Sequence, residues 1–183
     1  MHMATHTGRW TLAELHRLPD DGNKYEVARG ELFVTPAPTN EHETILARLT
    51  RILDPFVAAH GLGMVFHPRA VMRFDGSEVE PDLMVRQPLP AGGVDWDDAP
   101  IPSLVVEVMS DSTRRRDLAQ KRQLYLDAGV AEYWVVDPEA KSVRVMRPGE
   151  ADRVAIDQVT WSPVNVAESH VIALAKIFYD DAI

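Results

Sequence analysis

Cysteine is absent from the 183-residue sequence. Disulfide bonds, thiolate catalysis and cysteine-ligated zinc are therefore excluded, and a reducing cytoplasm is the expected location. The sequence also lacks any uninterrupted apolar run of about 18 residues, so it predicts no membrane-spanning helix. The segment from Met1 to Gly8 is polar and has no apolar core of the kind found in secretory signals.

A surplus of basic side chains is missing as well. Lys and Arg number 19 against 28 Asp and Glu, which gives a formal net charge of −9. Proteins that bind nucleic acids usually present a basic surface, so such a role would require a local basic patch or bound divalent cations. The clearest patch comprises Arg114, Arg115, Arg116, Lys121 and Arg122. The alternative interpretation of this patch is a solvated helix end.

Several catalytic motifs are also missing. The chain contains no His-Glu-x-x-His zinc motif, no Gly-x-Ser-x-Gly elbow, no Walker sequence and no Gly-x-Gly-x-x-Gly turn. These absences argue against the corresponding metallopeptidases, serine hydrolases and nucleotide-binding proteins.

The apolar patterns that are present predict helices and strands in alternation. A capping box at Thr11 predicts a short helix, and the run that starts at Asn40 predicts a long helix with one apolar face. The predicted elements, in chain order, are a helix to about residue 18, hairpin strands at 25–27 and 32–34, a helix over 40–60, an extended segment over 64–74 with a break or sheet edge at Pro68, strands over 79–85 and 103–109, a helix over 113–128, strands over 132–136 and 142–146, one or two further strands, and a short helix near 173–179.

The order of these elements predicts the fold class. A strand, a helix and a second strand with short connections form a right-handed crossover, so the strands at 103–109 and 132–136 should be parallel. We therefore expect an α/β (α+β) protein with a mixed central sheet flanked by helices and an N-terminal hairpin extension. The expected organisation is a single domain over 1–183, with a disordered or tag-like start at 1–8, a helix and hairpin at 9–38, the core at 39–137, and C-terminal strands with a short helix at 138–183.

One carboxylate, Glu107, lies in the middle of the apolar run at 104–109. Burying a carboxylate costs several kcal/mol unless a cation or hydrogen-bond donors meet it. Side-chain alternation lets Asp82, on the preceding strand, project to the same side if the two strands are neighbours. Two such carboxylates repel each other unless a divalent cation neutralises them, and hard oxygen ligands suit Mg²⁺ or Mn²⁺.

Lys121 is predicted to lie on the buried face of its helix. Its neighbours at helical spacing are Leu118, Leu124 and Tyr125, which form the inward stripe. Three interpretations remain open: a structural partner of Glu107, a catalytic group that orients water or stabilises phosphorane charge, or a side chain that extends to the surface.

These residues also match a known family. The segments that carry the resemblance are Tyr25-Glu26, Gly30-Glu31, His42, Pro81-Asp82, Glu107, Asp117, Lys121, Tyr125, Ala128-Gly129-Val130 and the run from Glu132 to Pro138. Together they closely resemble the Uma family of putative restriction endonucleases, within the PD-(D/E)xK nuclease superfamily, over residues 12–146. The resemblance implies a restriction-endonuclease-like core with the element order predicted above.

The resemblance implies roles for individual residues. Asp82 and Glu107 correspond to the metal-binding acids for Mg²⁺ or Mn²⁺, and with Lys121 they form the implied catalytic set. Most of the superfamily has a lysine two residues after the acid, where this chain has Met109. The Uma-like pattern supplies the lysine from the following helix instead, which indicates Lys121.

Glu31 and His42 are candidate auxiliary residues of the site. Alternatively, Glu31 is an exposed turn residue, and His42 is a histidine near a helix start whose hydrogen bonds are satisfied. The family commonly has Ser-Pro-Ser after the acid strand, whereas this chain has Ser110-Asp111-Ser112, which adds a negative charge near the site.

Two functions are compatible with these observations. The first is a metal-dependent endonuclease that hydrolyses nucleic acid, with DNA the expected substrate and a homodimer a plausible assembly for cutting two strands. The second is a weakly active or inactive interaction module on the same fold that binds a protein partner or self-associates. The net charge and Met109 favour the second.

Overall fold

The structure is a computed structural model and describes residues 8–88, 95–110 and 116–179. Its helices are α1 (Leu12–Leu15), α2 (Asn40–Ala59), α3 (Arg122–Asp127) and α4 (Ala175–Phe178), with a 3₁₀ turn at Trp96–Asp98 and a π-helical turn at Arg116–Lys121. Its strands are β1 (Lys24–Ala28), β2 (Glu31–Thr35), β3 (Met64–Phe66), β4 (Met72–Phe74), β5 (Ser77–Val79), β6 (Leu83–Arg86), β7 (Leu104–Val108), β8 (Glu132–Asp137), β9 (Ser142–Met146), β10 (Arg153–Ala155), β11 (Gln158–Trp161) and β12 (His170–Ala173). Within these ranges, no helix has both the length and the apolar character that crossing a membrane requires.

Six strands form the central sheet in the order β10-β9-β8-β7-β6-β3. β7 and β8 are parallel, as the crossover predicted, with Leu104 opposite Glu132. The other neighbouring strands are antiparallel. The mixed sheet and its flanking helices confirm the predicted fold class.

The N-terminal hairpin belongs to a second sheet. β1 and β2 pair as predicted, and they continue into a four-stranded antiparallel sheet with the order β2-β1-β5-β4. β11 and β12 form a separate hairpin. The hairpin of β1 and β2 is therefore held by neighbouring strands, and this fixes the direction of the side chains at its start.

Side-chain alternation gives the central sheet two different faces. One face packs against α2, β11, β12 and α4 and contributes these buried residues: Leu83, Val85, Leu104, Val106, Val108, Trp134, Val136, Val143 and Val145. The other face packs against α3 and the small sheet and contributes these: Met84, Val105, Met109, Tyr133, Val135 and Met146.

The predicted strand over 79–85 is in fact two strands in different sheets. β5 ends at Val79 and pairs with β1 and β4, whereas β6 begins at Leu83 and pairs with β7 and β3. Pro81 has no N–H to donate to a ladder, and the backbone N–H of Glu80 donates to the Glu26 carboxylate at 2.9 Å. The single-strand prediction was wrong because alternation does not report a change of partner strand.

The extended segment predicted over 64–74 divides in a similar way. β3 lies at the edge of the central sheet and β4 at the edge of the small sheet, and the break between them contains Pro68, where the sequence indicated one. Between residues 150 and 179, the described end of the chain, the structure has three strands rather than the predicted one or two.

The helix boundaries differ slightly from the predictions. α1 has the predicted capping box between Thr11 and Glu14 but is shorter than expected. Thr39, not Asn40, caps α2, because its hydroxyl accepts the backbone N–H of His42 at 3.2 Å. The predicted start of the helix over 113–128 falls within residues 111–115, which lie outside the described ranges. The described part of this helix begins with the π-helical turn.

Candidate active site

A cavity of about 770 Å³ opens where β1, the start of α2 and the C-terminal end of β7 meet. Acidic side chains outnumber basic ones in its wall. The charged residues that line it, with one histidine, are Lys24, Glu41, His42, Glu43, Arg69, Glu80, Asp82, Glu107, Asp137, Glu139 and Lys141. A polyanion that approaches this wall meets net negative charge unless cations intervene.

Asp82 lies directly before β6 and is held from three directions. Its Oδ2 accepts the backbone N–H of Val108 at 2.9 Å and lies 3.0 Å from His42 Nε2. Its Oδ1 accepts a hydrogen bond from Lys24 Nζ at 3.1 Å. The carboxylate is therefore anchored both to β7 and to β1.

The electrostatics of Asp82 favour the ionised form. Burial raises the pKa of its carboxyl group, but the positive charge of Lys24 and the hydrogen bond from His42 lower it by more. The resulting pKa lies well below the ordinary value for aspartate. Asp82 is therefore a carboxylate at any pH in the physiological range.

Glu107 is held by α3 and the turn that precedes it. Its Oε1 accepts two hydrogen bonds of 2.6 Å each, one from Lys121 Nζ and one from the Tyr125 hydroxyl. Burial and the negative charge of Glu107 raise the pKa of Tyr125 well above its ordinary value, so the phenol stays protonated and remains a donor. These two donors offset the cost of burying the Glu107 carboxylate.

Lys121 joins Glu107 to a second buried acid, Glu26 of β1. Its Nζ lies 3.0 Å from Glu26 Oε1 as well as 2.6 Å from Glu107 Oε1, and its side chain is fully buried. The interpretation in which Lys121 reaches the surface is therefore wrong. The contacts are those of a structural partner of Glu107, and Lys121 is not among the described residues that line the cavity.

Asp82 and Glu107 reach the same cavity. The register of β6 and β7 pairs Leu83 with Val106. Asp82 directly precedes Leu83 and Glu107 directly follows Val106, so both acids belong to the same end of this strand pair. Both line the cavity wall. Asp82 and Glu107, the two acids predicted from spacing, therefore share one cavity, although their side chains are held by different elements.

His42 and Glu31 occupy different surroundings. His42 lines the cavity in the first turn of α2. Burial lowers the pKa of its imidazole, but the hydrogen bond with Asp82 raises it by more, so the pKa lies above its ordinary value. Glu31 is exposed, accepts a hydrogen bond from Gln120 at 2.8 Å, and does not line the cavity.

With this geometry established, comparison with known proteins identifies the family. The sequence matches the Uma2 family, described as "Putative restriction endonuclease", over residues 12–176. The chain belongs to this family. No curated protein matches the sequence.

The fold is shared with a solved structure. The chain is similar to the crystal structure of a putative nuclease belonging to DUF820 from Anabaena variabilis ATCC 29413, with a TM-score of 0.76 and 22% sequence identity. The similarity covers 92% of this chain and 97% of that chain. At this level of identity the similarity establishes the fold of the Uma2 chain and nothing about its site.

The donor chemistry of the Uma2 cavity suits a hard divalent cation. Asp82 and Glu107 bring two carboxylates to one cavity, and Mg²⁺ typically takes one or two carboxylates while it keeps several waters. No group of three or more histidine and acidic side chains that could hold a metal occurs within the described part of the chain. Water, backbone or substrate oxygens would supply the remaining ligands. Because Lys24 already contacts Oδ1 of Asp82, a cation at that oxygen would compete with the ammonium group.

Sequence reasoning assigned no role to Lys24 or Glu26. Both lie on β1, two residues apart, so alternation sends their side chains to the same face of the strand. The sequence did contain a signal for this face of β1. Glu26 belongs to the Tyr25-Glu26 pair that carries part of the resemblance, and Lys24 lies two residues before it. Their partners, Asp82 and Lys121, are far away in sequence and could not be deduced from it.

Part of the predicted basic patch lies outside the described residues. Arg114 and Arg115 fall there, as do Asp111 and Ser112, and the side chains of Arg116 and Asp117 are likewise not described. Arg122 forms an ion pair with Asp152 at 2.9 Å and does not line the cavity.

Proposed function

We propose that this Uma2 protein is a metal-dependent endonuclease that hydrolyses phosphodiester bonds of nucleic acid, with DNA as the expected substrate. The observation that carries the proposal is the meeting of Asp82 and Glu107 in one cavity, at the ends of neighbouring strands. Family membership and the putative nuclease of the same fold support the nuclease class.

In this proposal Asp82 and Glu107 hold Mg²⁺ or Mn²⁺. A divalent cation in such a site supplies an activated water and stabilises charge that develops on the phosphoryl oxygens. The protein's own contribution is to keep the two carboxylates ionised and in fixed positions. The backbone N–H of Val108 and the His42 ring orient Asp82, while Lys121 and Tyr125 orient Glu107.

The acidic wall of the cavity supports a dependence on divalent cations. Asp137 and Glu139 line the wall at the end of β8, and Glu41 and Glu43 line it at the start of α2. Their charges repel a phosphodiester backbone at low salt. Cations bound near them would reduce this repulsion as well as serve the chemistry.

The same acidic wall favours a second candidate function, an interaction module that binds a basic protein segment without catalysis. A basic segment would be attracted by the charges that repel DNA. The two candidates differ in whether the cavity binds a divalent cation and whether nucleic acid is cut.

The test is a cleavage panel of plasmid and oligonucleotide substrates with Mg²⁺ and Mn²⁺, run beside calorimetric titration with Mn²⁺. We expect Asp82→Asn to abolish both cleavage and the high-affinity Mn²⁺ heat. The matched control is Asp54→Asn, because Asp54 is an exposed residue on α2 outside the cavity. A parent protein that neither binds millimolar Mn²⁺ nor cuts any substrate would leave the interaction module as the better function.

A further inference from the structure

The cavity has no lysine at the position where the superfamily resemblance implies one. Two residues after Glu107 the chain has Met109, which is buried and lines the cavity. A thioether offers a phosphate oxygen neither positive charge nor an N–H donor. A cation that meets the substrate must therefore come from another element.

Lys121 does not meet this requirement, because its ammonium group is buried between two carboxylates. It contacts Glu107 at 2.6 Å and Glu26 at 3.0 Å and is fully buried. Movement of this ammonium group toward a substrate would leave two buried carboxylates without their cation, which is strongly unfavourable.

Lys24 meets the requirement. It lines the cavity, and its side chain is 18% exposed. Its Nζ donates to Asp82 Oδ1 at 3.1 Å and to the backbone carbonyl of Glu80 at 3.0 Å. Among the residues that the structure describes, these contacts use two of the three N–H donors of an ammonium group, which leaves the third for a substrate oxygen.

The position of Lys24 is fixed by the hairpin. It is the first residue of β1, and the β1–β2 ladder sets it opposite Thr35, which also lines the cavity. A lysine held on a paired strand at the cavity wall is positioned in advance for an anionic ligand.

We propose that Lys24 is a phosphate-contacting lysine of this cavity and that Lys121 holds Glu107 in position without meeting the substrate. The ligand class is the non-bridging oxygen of a nucleic-acid phosphodiester. This inference rests on the proposed nuclease function and adds to it a residue outside the set that the resemblance implied.

The test compares Lys24→Met with Lys24→Arg and with Lys176→Met, a matched change at an exposed lysine outside the cavity. Binding of a fluorescent oligonucleotide is measured with Ca²⁺ in place of Mg²⁺ over a salt series. Loss of one phosphate contact lowers the slope of log K against log salt by about one. We expect this change in Lys24→Met alone, with the slope retained in Lys24→Arg.

Cleavage with Mg²⁺ gives the second measurement. We expect Lys24→Met to lower kcat by about 10²–10³-fold, as for loss of one preorganised donor at a reacting group, and Lys24→Arg to recover part of the rate. Circular dichroism establishes that each variant is folded. If Lys24→Met does not fold, Lys24→Gln removes the charge with a polar side chain and serves the same comparison.

The outcomes separate the inference from the function on which it rests. A parent that cuts, with a Lys24→Met variant that keeps the parent salt slope, overturns the inference and leaves the nuclease proposal intact. A parent that neither binds nor cuts nucleic acid removes the nuclease proposal and this inference together.

Discussion

The face of the central sheet that packs against α2 and the face that packs against α3 use the same strands but different stabilising interactions. On the α2 face, Leu104 and Val106 are buried among aliphatic and aromatic side chains. On the α3 face, the intervening positions of β7 are Val105 and Glu107, and Glu107 is buried in an ion pair with Lys121. One strand therefore contributes to an apolar core on one side and to a charged cluster on the other.

The two faces therefore differ in how much they stabilise the fold. Apolar burial stabilises the α2 face in proportion to its area. On the α3 face, the desolvation of Glu26, Glu107 and Lys121 roughly cancels their mutual attraction, so the cluster adds little net stability while each member depends strongly on the others. This mutually dependent cluster lies beside the cavity, whose wall Glu107 lines.

The largest expected effect comes from removing the Lys121 ammonium group, which Glu26 and Glu107 share. Lys121→Met leaves Glu26 and Glu107 buried without it, so we expect the free energy of unfolding to fall by about 3–5 kcal/mol. Urea unfolding followed by circular dichroism measures the change, with Lys176→Met as the control. A loss below about 1 kcal/mol would show that the two acids do not depend on this ammonium group.

A substitution on the opposite face provides the apolar reference. Leu104 is fully buried against the α2 side, and Leu104→Ala should lower the free energy of unfolding by about 3 kcal/mol through lost burial and a cavity. This loss should be the same at pH 5 and pH 8, because no titrating group is removed. A pH-dependent loss would contradict the separation of the two faces.

Glu107→Gln should have a smaller effect than removal of the lysine. The amide keeps the size of the side chain and still accepts from Tyr125, and Lys121 retains Glu26, so we expect a loss of about 2 kcal/mol in metal-free protein. Thermal unfolding in the presence of EDTA measures it. An increase in stability would instead mean that repulsion between Asp82 and Glu107 outweighs their pairing with lysine.

The smallest expected effect is the acid dependence of Asp82. The pKa of its carboxyl group is lower in the folded protein than in the unfolded chain. As the pH is lowered below about 4, the unfolded chain therefore binds a proton that the folded protein does not, and the free energy of unfolding decreases. At pH 3 the loss should be about 1 kcal/mol. Urea unfolding of the parent and of Asp82→Asn at pH 3, 4 and 5 compares the slopes, and equal slopes would argue against the pairing with Lys24.

The sequence predicted the strand with a buried carboxylate, the helix with an inward lysine and the parallel strand that follows. The buried faces of the strand and helix were predictable because local periodicity reports which side of an element is buried, and the parallel pairing followed from the crossover of strand, helix and strand. Periodicity could not divide residues 79–85 between two sheets, since the division is a change of partner strands that are distant in the sequence.

The composition of the cavity wall was predictable only in part. Asp82, Glu107 and His42 were candidates from spacing and resemblance, and all three line the cavity. Lys24 was not a candidate, because its contact with Asp82 joins residues 58 positions apart.

The amino-acid sequence by itself determined which residues are charged, which stretches are apolar and at what period, and therefore the order of helices and strands. Tertiary structure decided which carboxylate each lysine meets: Lys121 is enclosed between Glu107 and Glu26, and Lys24 faces the cavity beside Asp82. The physical reason is that burial preference is a property of short segments, whereas ion pairing depends on distances of about 3 Å that only the packed strands establish.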